Sequence, residues 1–252
     1  MSPLPLTTLH LNIPLRHSGI YSFRGLVAEI IGWEEDLFHN HDNSPSSENG
    51  SRQSMNRYKH RYPLIQYKVR KGKAAILGMG EGAVKLRTLI DADGLIFGGK
   101  FPILERRDEN FQMGMTDHPQ HYRLRHWLPL NASNHERWQE LREEDDLAPK
   151  RLELERILTA HLLAFAQGAK FEVPRPRGLE VRLEKFYGPE QVRSFGRSIL
   201  LAFDAKFSAN MTVPAGAGIG KASSIGFGQV WPSRGPKVPD LAGADGKAHN
   251  VL

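Results

Sequence analysis

The alternation of hydrophobic and polar positions predicts strands and helices in turn along the first hundred residues. Residues 7–15 alternate apolar and polar side chains, as in a half-buried strand, whereas residues 21–33 place apolar side chains at helical spacing. The later predicted elements are strand 62–69, turn 70–73, strand 74–79, helix 83–90 and strand 95–104. The predicted order is therefore β-α-β-β-α-β, which is the order of a ferredoxin-like domain.

The second half of the chain predicts a further α+β unit, which we interpret as degenerate. Its predicted elements are strand 121–130, helices 136–144 and 150–166, and strands 181–187, 199–211 and 227–231. We expect an N-terminal domain of residues 1–105 and a C-terminal domain of residues 106–231. Residues 42–57 are polar and residues 232–252 are rich in proline and glycine, so we expect a mobile loop and a disordered tail.

A glycine-rich string, residues 216–228, lies between the last two predicted strands. Five of its thirteen residues are glycine, and Lys221, Ser223 and Ser224 lie among them. Glycine allows backbone amides to turn outward, and successive amides in such a turn form an anion-binding concavity. A nucleotide-binding P-loop is excluded by spacing, because the position five before Gly220 is Ala215. The string therefore indicates phosphate contact of another kind, or a tight connection with no ligand.

The net charge of +6 is unevenly distributed along the chain. Residues 57–73 contain seven basic residues and no acidic one, whereas residues 133–156 carry eight acidic and five basic residues. Localised positive charge is typical of a polyanion-binding surface, although a solvated basic face is the commoner explanation for a single run. The absence of cysteine excludes disulfides, and no apolar run is long enough to span a bilayer. We expect a cytoplasmic protein that does not bind membranes.

The segment His39-Asn40-His41 is the strongest candidate for acid–base chemistry. It follows the first predicted helix and precedes the polar loop, so both imidazoles are expected at the surface. With an ordinary pKa near 6.5, one histidine can accept a proton while its neighbour donates one. That pair suits cleavage of RNA by its own 2′-OH. A zinc site is a weaker alternative, since two ligands are too few; we expect no metal and no cofactor.

Three segments together resemble one family. They are the glycine-rich GIGKASSIGFGQV, the His-Asn-His segment followed by RYPLIQYKV, and ILGMGEGA. The chain resembles the CRISPR-associated repeat-processing endoribonucleases, the sixth Cas family of the RAMP superfamily. One branch of that family has an arginine-glycine helix start, here Arg24-Gly25, before its paired histidines. The resemblance covers residues 7–90 and 199–231, while residues 95–198 match only in the order of elements.

The resemblance implies a tandem ferredoxin-like (RRM-like) fold and metal-independent cleavage of CRISPR repeat RNA, leaving a 5′-hydroxyl and a 2′,3′-cyclic phosphate. His39 and His41 match the branch's paired histidines, and Lys68 is our candidate for stabilising charge on the phosphate. The expected RNA-binding residues are Arg24, Arg61, Lys206, Gly218, Gly220, Lys221, Ser223, Ser224 and Gly226. The family also implies a homodimer and a place in a CRISPR interference complex as further associations.

Two other functions stay open at this point. A non-catalytic RAMP subunit would bind guide RNA with the same fold and basic surface, but it would not need the histidine pair. A nucleotide-dependent enzyme would use Gly78–Ala83, which fits the pattern G-x-G-x-x-A between a strand and a helix. The strand before this segment is predicted to pair in a tight hairpin and not through a parallel crossover, which weakens the second alternative.

Overall fold

The computed structural model describes residues 1–32, 35–39, 62–142, 146–175, 178–193 and 199–235. The predicted mobile loop, the predicted tail from residue 236 onward, and the site candidates His41 and Arg61 lie outside these ranges. The described elements are β1 (Ser2–Pro14), α1 (Ile20–Ile31), α2 (Asp36–His39), β2 (Ile65–Arg70), β3 (Lys73–Met79), α3 (Glu81–Thr88), β4 (Leu95–Ile96), β5 (Phe101–Met113), β6 (Met115–Trp127), α4 (Ala132–Arg142), α5 (Leu147–Gly168), β7 (Val181–Arg193), β8 (Ile199–Met211) and β9 (Gln229–Pro232).

The strands form two antiparallel sheets with the same internal order. The first sheet runs β2-β3-β1-β5-β4 and the second runs β7-β8-β6-β9. Leaving aside the two-residue β4, each sheet has its strands in the spatial order second, third, first, fourth, which is the ferredoxin-like arrangement. The predicted tandem ferredoxin-like fold is therefore confirmed. The second unit is degenerate, because a loop with one short 3₁₀ turn, Ser223–Ile225, replaces the helix between β8 and β9.

One detail of the predicted first unit is corrected, and one alternative function loses its structural basis. The single strand expected over residues 95–104 is interrupted, because Phe97, Gly98 and Gly99 have φ of 61°, 67° and 79° and turn the chain between β4 and β5. The segment Gly78–Ala83 does not lie in the context of a dinucleotide fold, because β3 pairs antiparallel with both β1 and β2. Its glycines instead allow β3 and α3 to approach closely.

The two units are packed together through a shared apolar core. On β1, Leu9 and Leu11 face the helices of the first unit, while Leu4 and Leu6 join the core that α5 forms with the second sheet. Because side chains alternate across a strand, one strand can serve both cores. The first sheet therefore holds the second unit, and with it the glycine-rich loop, in a fixed position. Within the described residues, no helix has the length and apolar character needed to cross a membrane.

Candidate functional site

The glycine-rich loop, residues 216–228, runs between the two units and is mostly buried. At Gly218 a Cβ atom would lie 2.8 Å from the Phe227 carbonyl oxygen and 2.9 Å from that of Ser223. Real Cβ atoms do not approach backbone oxygens this closely, so only glycine fits this position. The loop is therefore folded back on itself, and part of its glycine content serves this packing.

A hydrogen-bonded cluster of Tyr62, Gln66 and Gly218 fixes the loop to the first unit. The Gly218 N–H donates to Gln66 Oε1 at 2.7 Å, while Gln66 Nε2 and the Tyr62 hydroxyl donate to the Gly218 carbonyl at 3.0 and 2.8 Å. Burial raises the pKa of Tyr62 well above its usual range, so the hydroxyl stays protonated and can donate. This role was not predicted; its signal in the sequence is the polar Gln66 within the predicted strand 62–69.

The middle of the loop presents backbone amides that no described residue uses. Among the described residues, the N–H groups of residues 220–222 have no hydrogen-bond acceptor. Gly220 and Ala222 have φ of 80° and 57°, and Lys221 is exposed at the centre of the stretch. Consecutive free amides beside an ammonium group are suited to an anion. Of the predicted loop residues, Gly220, Lys221 and Ser224 lie at this surface, whereas Gly218, Ser223 and Gly226 are buried.

His161 on α5 lies directly against this part of the loop. The Trp127 indole N–H donates to His161 Nδ1 at 3.0 Å, so the ring proton is on Nε2. Burial lowers the pKa of His161 to about 4, which keeps the ring neutral at pH 7. A Cβ at Gly220 would lie 2.8 Å from the His161 ring, so a side chain at residue 220 would displace this imidazole.

The helix that carries His39 and the side chain of Lys68 lie on opposite faces of the first sheet. His39 is the last residue of α2, and its side chain, like His41, lies outside the described part. The Tyr67 hydroxyl donates to the Phe38 carbonyl at 3.4 Å, which places α2 on the helix-covered face of the sheet. Arg24 lies half-buried on α1 and lowers the pKa of Tyr67, although burial raises that pKa more strongly.

Lys68 points to the opposite face of β2, because neighbouring residues of a strand alternate. Its side chain is 2 % exposed, and its Nζ donates to Gln66 Oε1 at 3.0 Å. Burial, with a smaller effect of Arg70, lowers the pKa of Lys68 to about 7. The structure therefore brings Lys68 to the cluster that fixes the glycine-rich loop and does not bring it to α2.

A row of basic side chains crosses the second sheet. Strand register pairs Lys185 with Lys206, Lys206 with Arg123, and Arg123 with Trp231. The three basic side chains are exposed, and the Arg70 guanidinium lies 4.2 Å from the centre of the Trp231 ring. We call Arg70, Arg123, Lys185 and Lys206 the basic row. Of these four residues only Lys206 was predicted to bind RNA, because the register that aligns it with the others cannot be predicted from one strand.

The basic row is not neutralised within the described structure. None of its four side chains forms an ion pair with a described carboxylate, whereas nearby Arg125 pairs with Asp204 at 3.1 Å. Strands in a sheet are about 4.8 Å apart, so three like charges stand side by side at a cost in stability. An extended anion with regularly spaced charges would relieve this repulsion.

Comparisons with known proteins agree with this architecture. The sequence matches the Cas6b N-terminal domain over residues 3–100 and the Cas6b C-terminal domain over residues 114–233. A crystal structure of Cas6b has a TM-score of 0.68 at 23 % identity, covering 91 % of this chain and all of that one. A second Cas6b, described as a CRISPR RNA processing endoribonuclease, has a TM-score of 0.63 at 21 % identity, over 92 % of this chain and 100 % of that chain.

A more distant structure shares the fold. The protein Csf5, described as a CRISPR-Cas type IV Cas6 crRNA endonuclease, has a TM-score of 0.52 at 14 % identity and covers 92 % of this chain and 100 % of its own. No curated protein matches the sequence. The two domain matches together span most of the chain and settle which family it belongs to.

Proposed function

Because the chain belongs to the Cas6b family of CRISPR RNA-processing endoribonucleases, we propose that it binds CRISPR repeat RNA and cuts it without a metal ion. The observation that carries this proposal is the basic row, which leads across the second sheet to Trp231 and Arg70, the latter beside Gly216 at the start of the glycine-rich loop. Basic side chains without ion pairs, together with free backbone amides, are suited to binding the phosphate backbone of RNA.

In the proposed reaction one of His39 and His41 removes the proton from the 2′-OH next to the scissile phosphate. The 2′-oxygen then attacks phosphorus and the bond to the 5′-oxygen breaks, while the other histidine gives that oxygen a proton. The products are a 2′,3′-cyclic phosphate and a 5′-hydroxyl. Free amides of residues 220–222 and the Lys221 ammonium group would stabilise the charge that builds on the phosphoryl oxygens.

Lys68 has a smaller part in this proposal than the sequence suggested. A lysine with a pKa of about 7 could lend its charge to a phosphate, yet it lies on the face of β2 opposite α2. We therefore assign it first to the support of Gln66 and the glycine-rich loop. It stays a prediction that Lys68 contacts the scissile phosphate directly. Homodimer formation, membership of an interference complex and a cytoplasmic location also stay predictions.

The proposal is tested with 5′-labelled RNA carrying the repeat encoded beside this gene, incubated with the protein in excess EDTA. We expect a single cut with a cyclic phosphate end. His39→Ala and His41→Ala should each slow cleavage about 10²- to 10⁴-fold, the usual contribution of a positioned acid or base. His118→Ala is the matched control, because His118 is exposed on β6 and should be dispensable.

Two outcomes would contradict the proposal. Cleavage at the wild-type rate by both histidine variants would remove them from the mechanism. Tight repeat binding with no cut under any condition would instead favour the non-catalytic RAMP subunit.

A further inference from the structure

A cavity of about 370 Å³ lies between the two units at the end of the glycine-rich loop. Two histidines from different units line it, His17 before α1 and His126 at the end of β6, together with Ser18. Its remaining walls are largely apolar and come from Val192, Ile225 and Phe227. The volume falls within the range of roughly 300–1,000 Å³ typical of small-ligand pockets, and apolar walls with a few polar groups are their usual lining.

The backbone fixes His126 at this cavity. Its φ of 47° is left-handed, a conformation that is strained for a non-glycine residue and needs support from its surroundings. That support is present: the His126 N–H donates to Asp204 Oδ1 at 2.8 Å, and its carbonyl accepts the Gly228 N–H at 3.0 Å. The pairing of β6 with β8 is irregular between Leu124 and Trp127, so the strand turns His126 out of the regular pleat.

The groups that line the cavity suit a flat ligand such as an unstacked base. The ring centroids of His17 and His126 are 6.5 Å apart. Burial, His126 and Arg70 all lower the pKa of His17, so its ring is neutral at pH 7. A neutral imidazole offers an aromatic face, one donor and one acceptor, which are the groups that bind an unstacked base. The nearby carboxylate of Asp204 forms an ion pair with Arg125 and accepts a hydrogen bond from the His126 N–H.

We propose that this cavity takes one nucleobase, turned out of a single-stranded segment of the bound RNA. The base stacks on an imidazole ring, and its edge bonds to the second ring or to the Ser18 hydroxyl. This inference rests on the proposed function and adds to it. The basic row and the free amides contact the backbone and are indifferent to sequence, whereas this cavity would make the protein sensitive to one base.

The test is a double-mutant cycle between protein and RNA. The probe is the repeat RNA with a 2′-deoxynucleotide at the cleavage site, so that it binds without being cut, and with one abasic nucleotide placed at each position in turn. The protein variant is His126→Asn, because asparagine tolerates a positive φ and the fold is kept. His17→Ala is the second variant, and His118→Ala, exposed on the same strand as His126, is the control.

We expect one RNA position at which loss of the base weakens wild-type binding about 5- to 150-fold, the usual range for stacking on an aromatic ring. At that position the abasic change should weaken binding to His126→Asn and to His17→Ala less than 2-fold, while the His118→Ala control should behave like the wild type.

If loss of the base weakened binding equally at every RNA position, in the wild type and in both variants, the cavity proposal would be overturned. The proposed endoribonuclease function would be unaffected. A uniform loss of affinity for all RNAs in the two variants would also overturn it, because that result indicates a phosphate contact. Failure of the wild-type protein to bind or cut the unmodified repeat would overturn the proposed function and this inference together.

Discussion

The two units connect their third and fourth strands in opposite ways, although both connections are rich in glycine. In the first unit β3 leads into α3, and a Cβ at Gly82 would lie 2.5 Å from the Leu64 carbonyl oxygen. In the second unit β8 leads into the glycine-rich loop, whose residues 220–222 keep their amides free among the described residues. The same position in the fold is closed by a helix in one unit, whereas in the other it is a loop with free backbone amides.

The comparison separates two uses of glycine that look alike in a sequence. Gly78 and Gly82 are needed because a strand and a helix touch backbone to backbone, and Gly218 is needed for a comparable reason inside the loop. Gly220 lies where the loop faces outward beside Lys221. A binding role is therefore indicated by the amides that stay unpaired, and the number of glycines does not indicate it.

The largest effect is expected from Gly218→Ala. The new methyl group would press on two backbone carbonyls, so we expect about 3 kcal/mol of destabilisation together with loss of RNA cleavage. Gly82→Ala should destabilise the fold by a similar amount, yet the folded fraction should still bind RNA at low temperature. Urea unfolding and RNA binding by fluorescence anisotropy measure both quantities.

Gly25→Ala is the matched control for these two changes. No heavy atom lies within 4 Å of a Cβ built at Gly25, which is inside α1, so the change should raise stability by about 0.5–1 kcal/mol. If Gly218→Ala were as stable and as active as Gly25→Ala, the loop would not be packed as described.

The second prediction concerns His161, which lies against the open part of the loop. Its folded pKa of about 4 is below the ordinary value of 6.5, so the unfolded state takes up the proton first as pH falls. The stability that His161 contributes is complete above pH 6.5 and declines towards pH 4, by at most about 3 kcal/mol. His161→Asn, which keeps an acceptor for Trp127, should flatten this decline in urea midpoints measured at pH 7, 6 and 5.

Lys68→Met tests the hydrogen-bonded cluster that fixes the glycine-rich loop to the first unit. The folded pKa of Lys68, about 7, is below the ordinary 10.5, so wild-type stability should rise as pH increases from 7 to 10.5. The methionine variant should be at least as stable at pH 7 and should lack this rise. Cleavage within a few-fold of the wild type would agree with a supporting role, whereas a loss above 10²-fold with intact binding would give Lys68 a catalytic one.

The smallest effects are expected from single changes in the basic row. Lys206→Gln or Arg123→Gln should weaken RNA binding several-fold at low salt and lower the slope of log affinity against log salt by about 0.7 each. Neither change should lower the free energy of unfolding, since each removes a positive charge that repels its neighbours in the basic row. Lys150→Gln, on α5, is a control for net charge. An unchanged salt slope in both variants would remove the basic row from the interface.

Much of the fold could be predicted because local patterns specify it. The strand Ile199–Met211 was predicted with the observed bounds, since its long apolar run ends at a proline and glycine cluster. The strands β5 and β7 were predicted too short, because exposed charged residues such as Glu105–Asp108 hide the alternation. The turn at residues 97–99 was missed although the pair Gly98-Gly99 is a turn signal, and the positive φ of Phe97 adds no signal of its own.

The candidate site was less accessible to prediction, because it depends on contacts between distant residues. The glycine-rich loop was located from its composition, but the bonds from Tyr62 and Gln66 to Gly218 cross more than 150 positions. The basic row depends on register across three strands, and the cavity of His17 and His126 depends on the packing of the two units. Local periodicity carries no information about either arrangement.

Hydrogen exchange on the intact protein, with and without the non-cleavable repeat RNA, tests the central claim most directly. We predict that RNA slows exchange of the amides of residues 220–222, and that exchange in α3 stays unchanged. Equal protection of both connections, or no protection of the loop under saturating RNA, would contradict the claim that the open connection holds the phosphate.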